Sequence, residues 1–221
     1  MAGGGAVMKR EAGKFVFPVF AFLILTAFAS VSAAKTIYVP DDYAKIQWAV
    51  DNASDGDTII VRDGTYYYEN VNVNKQLTLK SENGSANCII DAGGSGSVFT
   101  LNADHITIHG FTIKNGGNFG RDSGIEILSN NNTIYSNVII NNKGFGVFLY
   151  NSNNNTISNN TISNNLYGVE FWNADKNTIV NCEVSDSNSG ILVYGGSNYN
   201  VIIKNIILNN TPAICPWCFV K

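Results

Sequence analysis

The stretch GVEFWNA, residues 168–174, decides how this chain folds, because the same frame recurs on either side of it. GIEILSN starts at Gly124, GVFLYNS at Gly146 and GILVYGG at Gly190, so neighbouring frames are 22 residues apart each time. A second column holds Ile108, Ile134, Ile157, Ile179 and Ile202, in steps of 26, 23, 22 and 23 residues. A period of this length marks stacked supersecondary units. Each unit is too short for a helix pair and is dense in β-branched residues, which points to one coil of short strands.

The facing of the strands follows from the same columns. Five residues after each column isoleucine comes Ile113, Ile139, Ile162, Val184 or Ile207. After each glycine, positions +1 and +3 are apolar: Ile125 and Ile127, Val147 and Leu149, Val169 and Phe171, Ile191 and Val193. Alternate residues of a strand share a face, so these positions point inward together. The expected fold is all-β: a right-handed parallel β-helix with three short strands per coil and about 22–23 residues per coil. At the corners Asn137, Asn160 and Asn205 form a column, broken by Phe111 and Cys182. Stacked asparagines bond along the axis and tolerate left-handed backbone, and both roles are expected of this column.

Upstream, Ile46, Ala49, Val50 and Ala53 follow helical spacing, with Asp41 or Asp42 as N-cap and Gly56 beyond the end. Such a helix would cover the open end of the coils. The first residues have the layout of a secretory signal peptide: Lys9, Arg10 and Lys14, an apolar run over residues 15–29, then Ser32, Ala33 and Ala34. An uncleaved anchor is the alternative, although the run is shorter than the ~20 residues of a membrane-spanning helix. The expected organisation is a signal peptide at 1–34, an N-terminal strand and capping helix at 35–57, the β-helix at 58–210 and an irregular tail at 211–221.

Removing residues 1–34 takes three of the 14 basic and one of the 17 acidic residues, leaving a charge of −5. Only Arg62 and Arg121 remain as arginines, so no basic face exists for nucleic acid. No cofactor is expected.

The block TIYVPDDYAKIQWAVDNASDGDTIIVRDGTY, followed by N-x-I and G-I-x-V coils, resembles the β-helix repeats of NosD-like periplasmic copper-binding proteins and of pectin-lyase-like archaeal surface proteins, over residues 36–210. The resemblance implies an exported protein, and copper-enzyme maturation as one role. The residues do not carry the copper role over: both methionines lie in the leader. His105 and His109, four apart in HITIH, would be about 13 Å apart on a strand. The paired-Asp, Gly-His-Gly and Arg-x-Lys set of polygalacturonase-like enzymes is also missing, and no metal site is expected.

If +1 and +3 face inward, +2 and +4 face outward. The +4 column is Leu128, Tyr150, Trp172 and Tyr194, and the +2 column is Glu126, Phe148, Glu170 and Leu192. The aromatics offer a platform for a sugar ring or a partner, or they simply support one another across strands. Glu126 and Glu170, weak catalytic candidates, lie two coils apart, about 9–10 Å, near the carboxyl separation of inverting glycosidases. A flat outward column supplies no raised pKa and no water-excluding cleft, although Arg121 and Asp122, in the insertion GGNFGRDSG, could add a wall. Cys215 and Cys218 in the tail suit a local disulfide or a zinc half-site better than redox chemistry. N-glycosylation sequons begin at Asn52, Asn83, Asn131, Asn154, Asn159 and Asn209.

The expected function is therefore non-catalytic binding of polysaccharide or cell-envelope material, or a structural role, outside the cytoplasm: extracellular, at the cell surface or periplasmic. A polysaccharide lyase or glycoside hydrolase is the alternative, and self-association through the C-terminal β-helix edge is a further expectation.

Overall fold

A computed structural model describes residues 1–5 and 33–214; most of the expected signal peptide, and Cys215 and Cys218, lie outside the described residues. From Ala33 onward the chain winds as a right-handed parallel β-helix with three sheets. The first sheet has eight strands, from Thr36–Val39 and Thr58–Val61 through Thr133–Tyr135 and Thr178–Val180 to Val201–Ile203. The second has seven, from Gly64–Tyr67 and Cys88–Asp91 to Glu183–Ser185 and Ile206–Leu208. The third has six: Val71–Val73, Phe99–Leu101, Ser123–Ile127, Phe145–Tyr150, Tyr167–Trp172 and Ser189–Tyr194. The first sheet already includes Thr36–Val39, which pairs with Thr58–Val61, so the β-helix begins before residue 58 and the helix is an insert in its first coil.

Register is set by the inward residues. Leu79, Ile108, Ile134, Ile157 and Ile179 lie opposite one another from coil to coil, all fully buried. Ile113, Ile139, Ile162 and Val184 do the same in the second sheet. In the third, Ile127, Leu149, Phe171 and Val193 form the inner row. Burial of each such side chain stabilises the fold by about 1.5–3 kcal/mol, and slipping one residue would turn the whole row to solvent.

The glycine series has a packing cause. A methyl group on Gly124, Gly146 or Gly168 would lie 2.7, 2.6 or 2.5 Å from the carbonyl oxygen of the next glycine in the series. It would also meet Ile139, Ile162 or Val184 from inside the core. Only glycine lets the coils close here.

The corners divide labour between paired residues. One member takes a left-handed φ and faces solvent: Asn131, Ser136, Asn141, Asn154, Asn159 and Asn164. The next points inward, and its amide bonds between coils. Asn160 Oδ1 accepts the N–H of Asn137 at 2.9 Å and its Nδ2 donates to the Ile134 carbonyl at 2.9 Å. There are three such ladders: Asn132, Asn155, Asn177 and Asn200; Asn137, Asn160 and Asn205; Asn142, Asn165 and Asn210, with Ser187 completing the last. Sequence reading found the second ladder and gave one residue both roles; the structure separates them.

The helix is Ile46–Asn52, and Ile46, Ala49 and Val50 lie against the core. Neither Asp41 nor Asp42 caps it. Lys45 takes the N-cap position without a side-chain bond. Asp41 pairs with Arg62 at 2.6 Å, and the Asp42 carboxylate accepts the Tyr38 N–H at 2.7 Å. The C-terminal end is closed from the next coil: Lys75 Nζ donates to the carbonyls of Val50, Asp51 and Ala53 at 3.0, 2.8 and 2.7 Å. A cation at that end satisfies orphan carbonyls and complements the helix dipole.

At the other end the tail is less irregular than expected. The carbonyls of Pro212 and Ala213 accept the N–H groups of Gly190 and Ile191 at 3.0 Å each, and Ile214 bridges Ile191. Proline lacks a donor, yet its carbonyl extends the ladder.

Two substitutions separate the corner roles. Asn160→Ala leaves buried Asn137 and Ile134 groups unpaired and should destabilise by about 2–3 kcal/mol. Asn159→Gly, at the exposed left-handed member, should be neutral or slightly stabilising; urea midpoints of the two variants check the contrast. Phe171→Asp should abolish cooperative unfolding altogether, read by circular dichroism on heating.

Candidate functional site: the outer face of the third sheet

The strands of the third sheet bend at their glycines, so the residue before each glycine points outward, against simple alternation. Phe145 and Tyr167 occupy that position and stack at 5.1 Å between centroids. Sequence reading missed both, because a period of two counted through the glycine turns them inward.

The +2 column corrects the expectation of an open surface. Glu126, Phe148, Glu170 and Leu192 lie opposite one another and point away from the core, yet each is buried, with Phe148 only 3% exposed. The Phe148 ring stacks on Phe145 at 4.6 Å and leans on Tyr150 at 6.1 Å. Glu170 stands between Phe148 and Leu192 in the register and accepts no hydrogen bond among the described residues. Burial pushes its carboxyl up to about 7. The raised pKa that a flat face would not supply is therefore present. Burial also raises the Glu126 carboxyl, with Arg121 pulling against it.

Arg121 does form a wall. Its Nε lies 3.1 Å from Glu126 Oε1, and its guanidinium sits over the Tyr150 ring at 4.6 Å. Asp122 does not join it: its carboxylate accepts the Phe119 N–H at 3.1 Å, bracing the insertion itself. At the +4 positions Trp172 and Tyr194 are open, 45% and 37% exposed, with centroids 6.0 Å apart. Tyr150 is half-buried under Arg121, so the open aromatic surface is this pair rather than three equal rings.

The other residues singled out in the sequence lie elsewhere. His105 sits at a left-handed corner, not on a strand, and His109 stacks on Tyr135 at 4.5 Å. Among the described residues no three His, Cys, Asp or Glu side chains come together as a metal site. Cys88 and Cys182 are buried and free. All six sequon asparagines are exposed. Asn52, Asn83 and Asn209 spend their amides on Trp48, Asp63 and Asp186, whereas those of Asn131, Asn154 and Asn159 make no hydrogen bond among the described residues.

Parallel coils, in-register ladders and a decorated third sheet define a right-handed β-helix protein with a single elaborated outer face. The chain belongs to the right-handed β-helix family, whose sequence profile matches residues 49–177 and 101–215. A cell surface glycoprotein of Methanothermus fervidus is 43% identical over 97 residues, 42% of this chain and 16% of that protein. Pectate lyase Pel9A superposes with a TM-score of 0.67 at 15% identity, covering 85% of this chain and 56% of the enzyme. A pectin methylesterase of Aspergillus niger gives 0.50 at 16% identity, covering 77% and 67%. This chain thus spans a small part of its surface relative and about half of the lyase, and the two solved structures share its fold.

Glu170 generates a pH prediction. Its folded pKa stands above the ordinary carboxylate value, so the fold holds the proton more tightly than the unfolded chain does. The stability this brings is complete below about pH 4 and is lost as pH rises through about 7. Glu170→Gln should remove that loss: its urea midpoint should match the parent at pH 4 and exceed it at pH 8.

Proposed function

We propose that this chain is a surface-exposed β-helix protein of a cell envelope, which binds carbohydrate or envelope material on the outer face of its third sheet without cleaving it. The observation that carries this reading is the exposed ring of Trp172, one coil from Tyr150 and the Arg121 guanidinium that sits over it. Large aromatic rings exposed next to fixed polar groups suit a sugar, whose C–H faces pack on rings while its hydroxyls take hydrogen bonds. The surface relative supports the location, and the exposed sequons fit a chain that meets glycosylating enzymes during export. Export rests on the basic, apolar and small-residue order of residues 9–34.

A second reading, cleavage of a polysaccharide, is favoured by one observation: Glu170 keeps its proton near neutral pH while Glu126, two coils away, faces an arginine. Carboxyls of unlike environment at about 9–10 Å fit an inverting hydrolase, with Glu170 as acid. The open geometry of the aromatic pair favours binding over cleavage. Self-association at the last described coil accompanies either reading, since its outer faces carry Val201, Ile203, Ile206 and Leu208, half-exposed apolar side chains where the preceding coil has Thr178, Val180, Glu183 and Ser185.

A glycan array probed with the purified chain tests the first reading. Trp172→Ala should weaken retention by about tenfold or more while the melting temperature changes little, because its ring is 45% exposed. Reducing-sugar release or unsaturated product from a retained glycan, abolished by Glu170→Gln, would replace binding by catalysis.

A further inference from the structure

The corner between the second and third sheets carries a feature that the outer face does not explain. Along this corner Asn115, Asn141, Asn164, Asp186 and Asn209 succeed one another in register, all with left-handed φ. At the start of this corner, followed by Ala92, stands Tyr68, with φ of 60° and 80% of its surface exposed. A left-handed backbone crowds the Cβ of a bulky residue, and asparagine or glycine relieves this. An exposed ring returns nothing to the core for that strain. Strain of this kind points toward a functional constraint.

Around Tyr68 the structure opens a groove of about 350 Å³, lined by Tyr67, Gly93, Gly94, Asp91, Asn115 and Lys143 as well. The glycines make room: a methyl on Gly93 would fall 2.5 Å from the Tyr68 ring, and one on Gly94 would fall 2.9 Å from Lys143 Nζ. Asp91 is already satisfied, by the Gly93 N–H and Asn115 Nδ2 at 2.8 Å each and by Lys114 at 3.5 Å. The Lys143 ammonium has no partner among the described residues. The groove thus combines two exposed rings with one uncompensated positive charge.

We propose that this groove binds an anionic sugar, with the sugar ring against Tyr68 and its carboxylate or sulfate at Lys143. The rings supply flat apolar contact, the ammonium favours an anion, and Asn115 Oδ1 can accept from a hydroxyl. The site uses none of the outer-face residues, so it stands whether or not that face binds carbohydrate.

Titration of the isotopically labelled full chain with methyl glucuronide, glucose 6-sulfate and glucose, followed by NMR shifts, tests it. Saturable shifts centred on Tyr68 and Lys143 with either anion, weakened by salt and about tenfold or more weaker with glucose, are expected; the tighter anion identifies the acidic group. Lys143→Ala should reduce the anions to the level of glucose. Tyr68→Gly should lose binding while melting no lower than the parent, because glycine suits the left-handed corner. Trp172→Ala should bind these probes normally, which separates this site from the outer face. Equal binding of glucose, shifts centred elsewhere, unchanged affinity in Lys143→Ala, or a lowered melting temperature in Tyr68→Gly with binding retained would each overturn the proposal.

Discussion

A chain that turns three corners in every coil must satisfy backbone groups that no strand can reach, and inward asparagine amides meet that demand. Each amide accepts the N–H of its counterpart one coil back, and most also donate to a carbonyl there. A buried polar group left unpaired costs about as much as an apolar side chain contributes, so three ladders protect the aliphatic stack as much as they accompany it. Everything outward depends on them. Because corner geometry is fixed from inside, the outer residue of each strand is free to vary without loss of register, and that of each corner within what a left-handed backbone accepts.

This division explains what the sequence made legible. The period, the inward faces of all three sheets and the existence of a covering helix could be read because they rest on apolar spacing, which core packing enforces. The glycine column was visible as a pattern, but its cause, the approach of one glycine to the carbonyl of the next, needed three dimensions. The helix cap was misread because Asp41 and Asp42 serve partners distant in sequence or on the preceding strand, Arg62 and Tyr38. The tail from residue 211 was read as irregular, and the carbonyls of Pro212 and Ala213 proved to extend the ladder.

The outer face was only half legible. Alternation identified Glu126, Phe148, Glu170, Tyr150, Trp172 and Tyr194 as outward, and Arg121 as their neighbour. It could not report burial on the outside of a sheet, since that depends on how Phe145 and Phe148 stack and on Arg121 folding over Tyr150. Hence the environment of Glu170 was missed, and Asp122 was grouped with Arg121 although adjacent residues point to different tasks.

The glycine-to-glycine contact has a consequence for how such a protein changes over generations. Each coil presents the same top and bottom to its neighbours, so a whole 22-residue unit can be gained or lost in the middle of the array with no new interface to invent. The outer face would then lengthen or shorten in steps of about 4.8 Å, the distance between parallel strands. A gene that duplicates one repeat lengthens this surface by one such increment, and the ladders accept coils of slightly different length, since they bridge 22, 23 and 26 residues alike. The protein is in this sense graduated: equivalent groups on its outer face recur at intervals set by the hydrogen bond between coils.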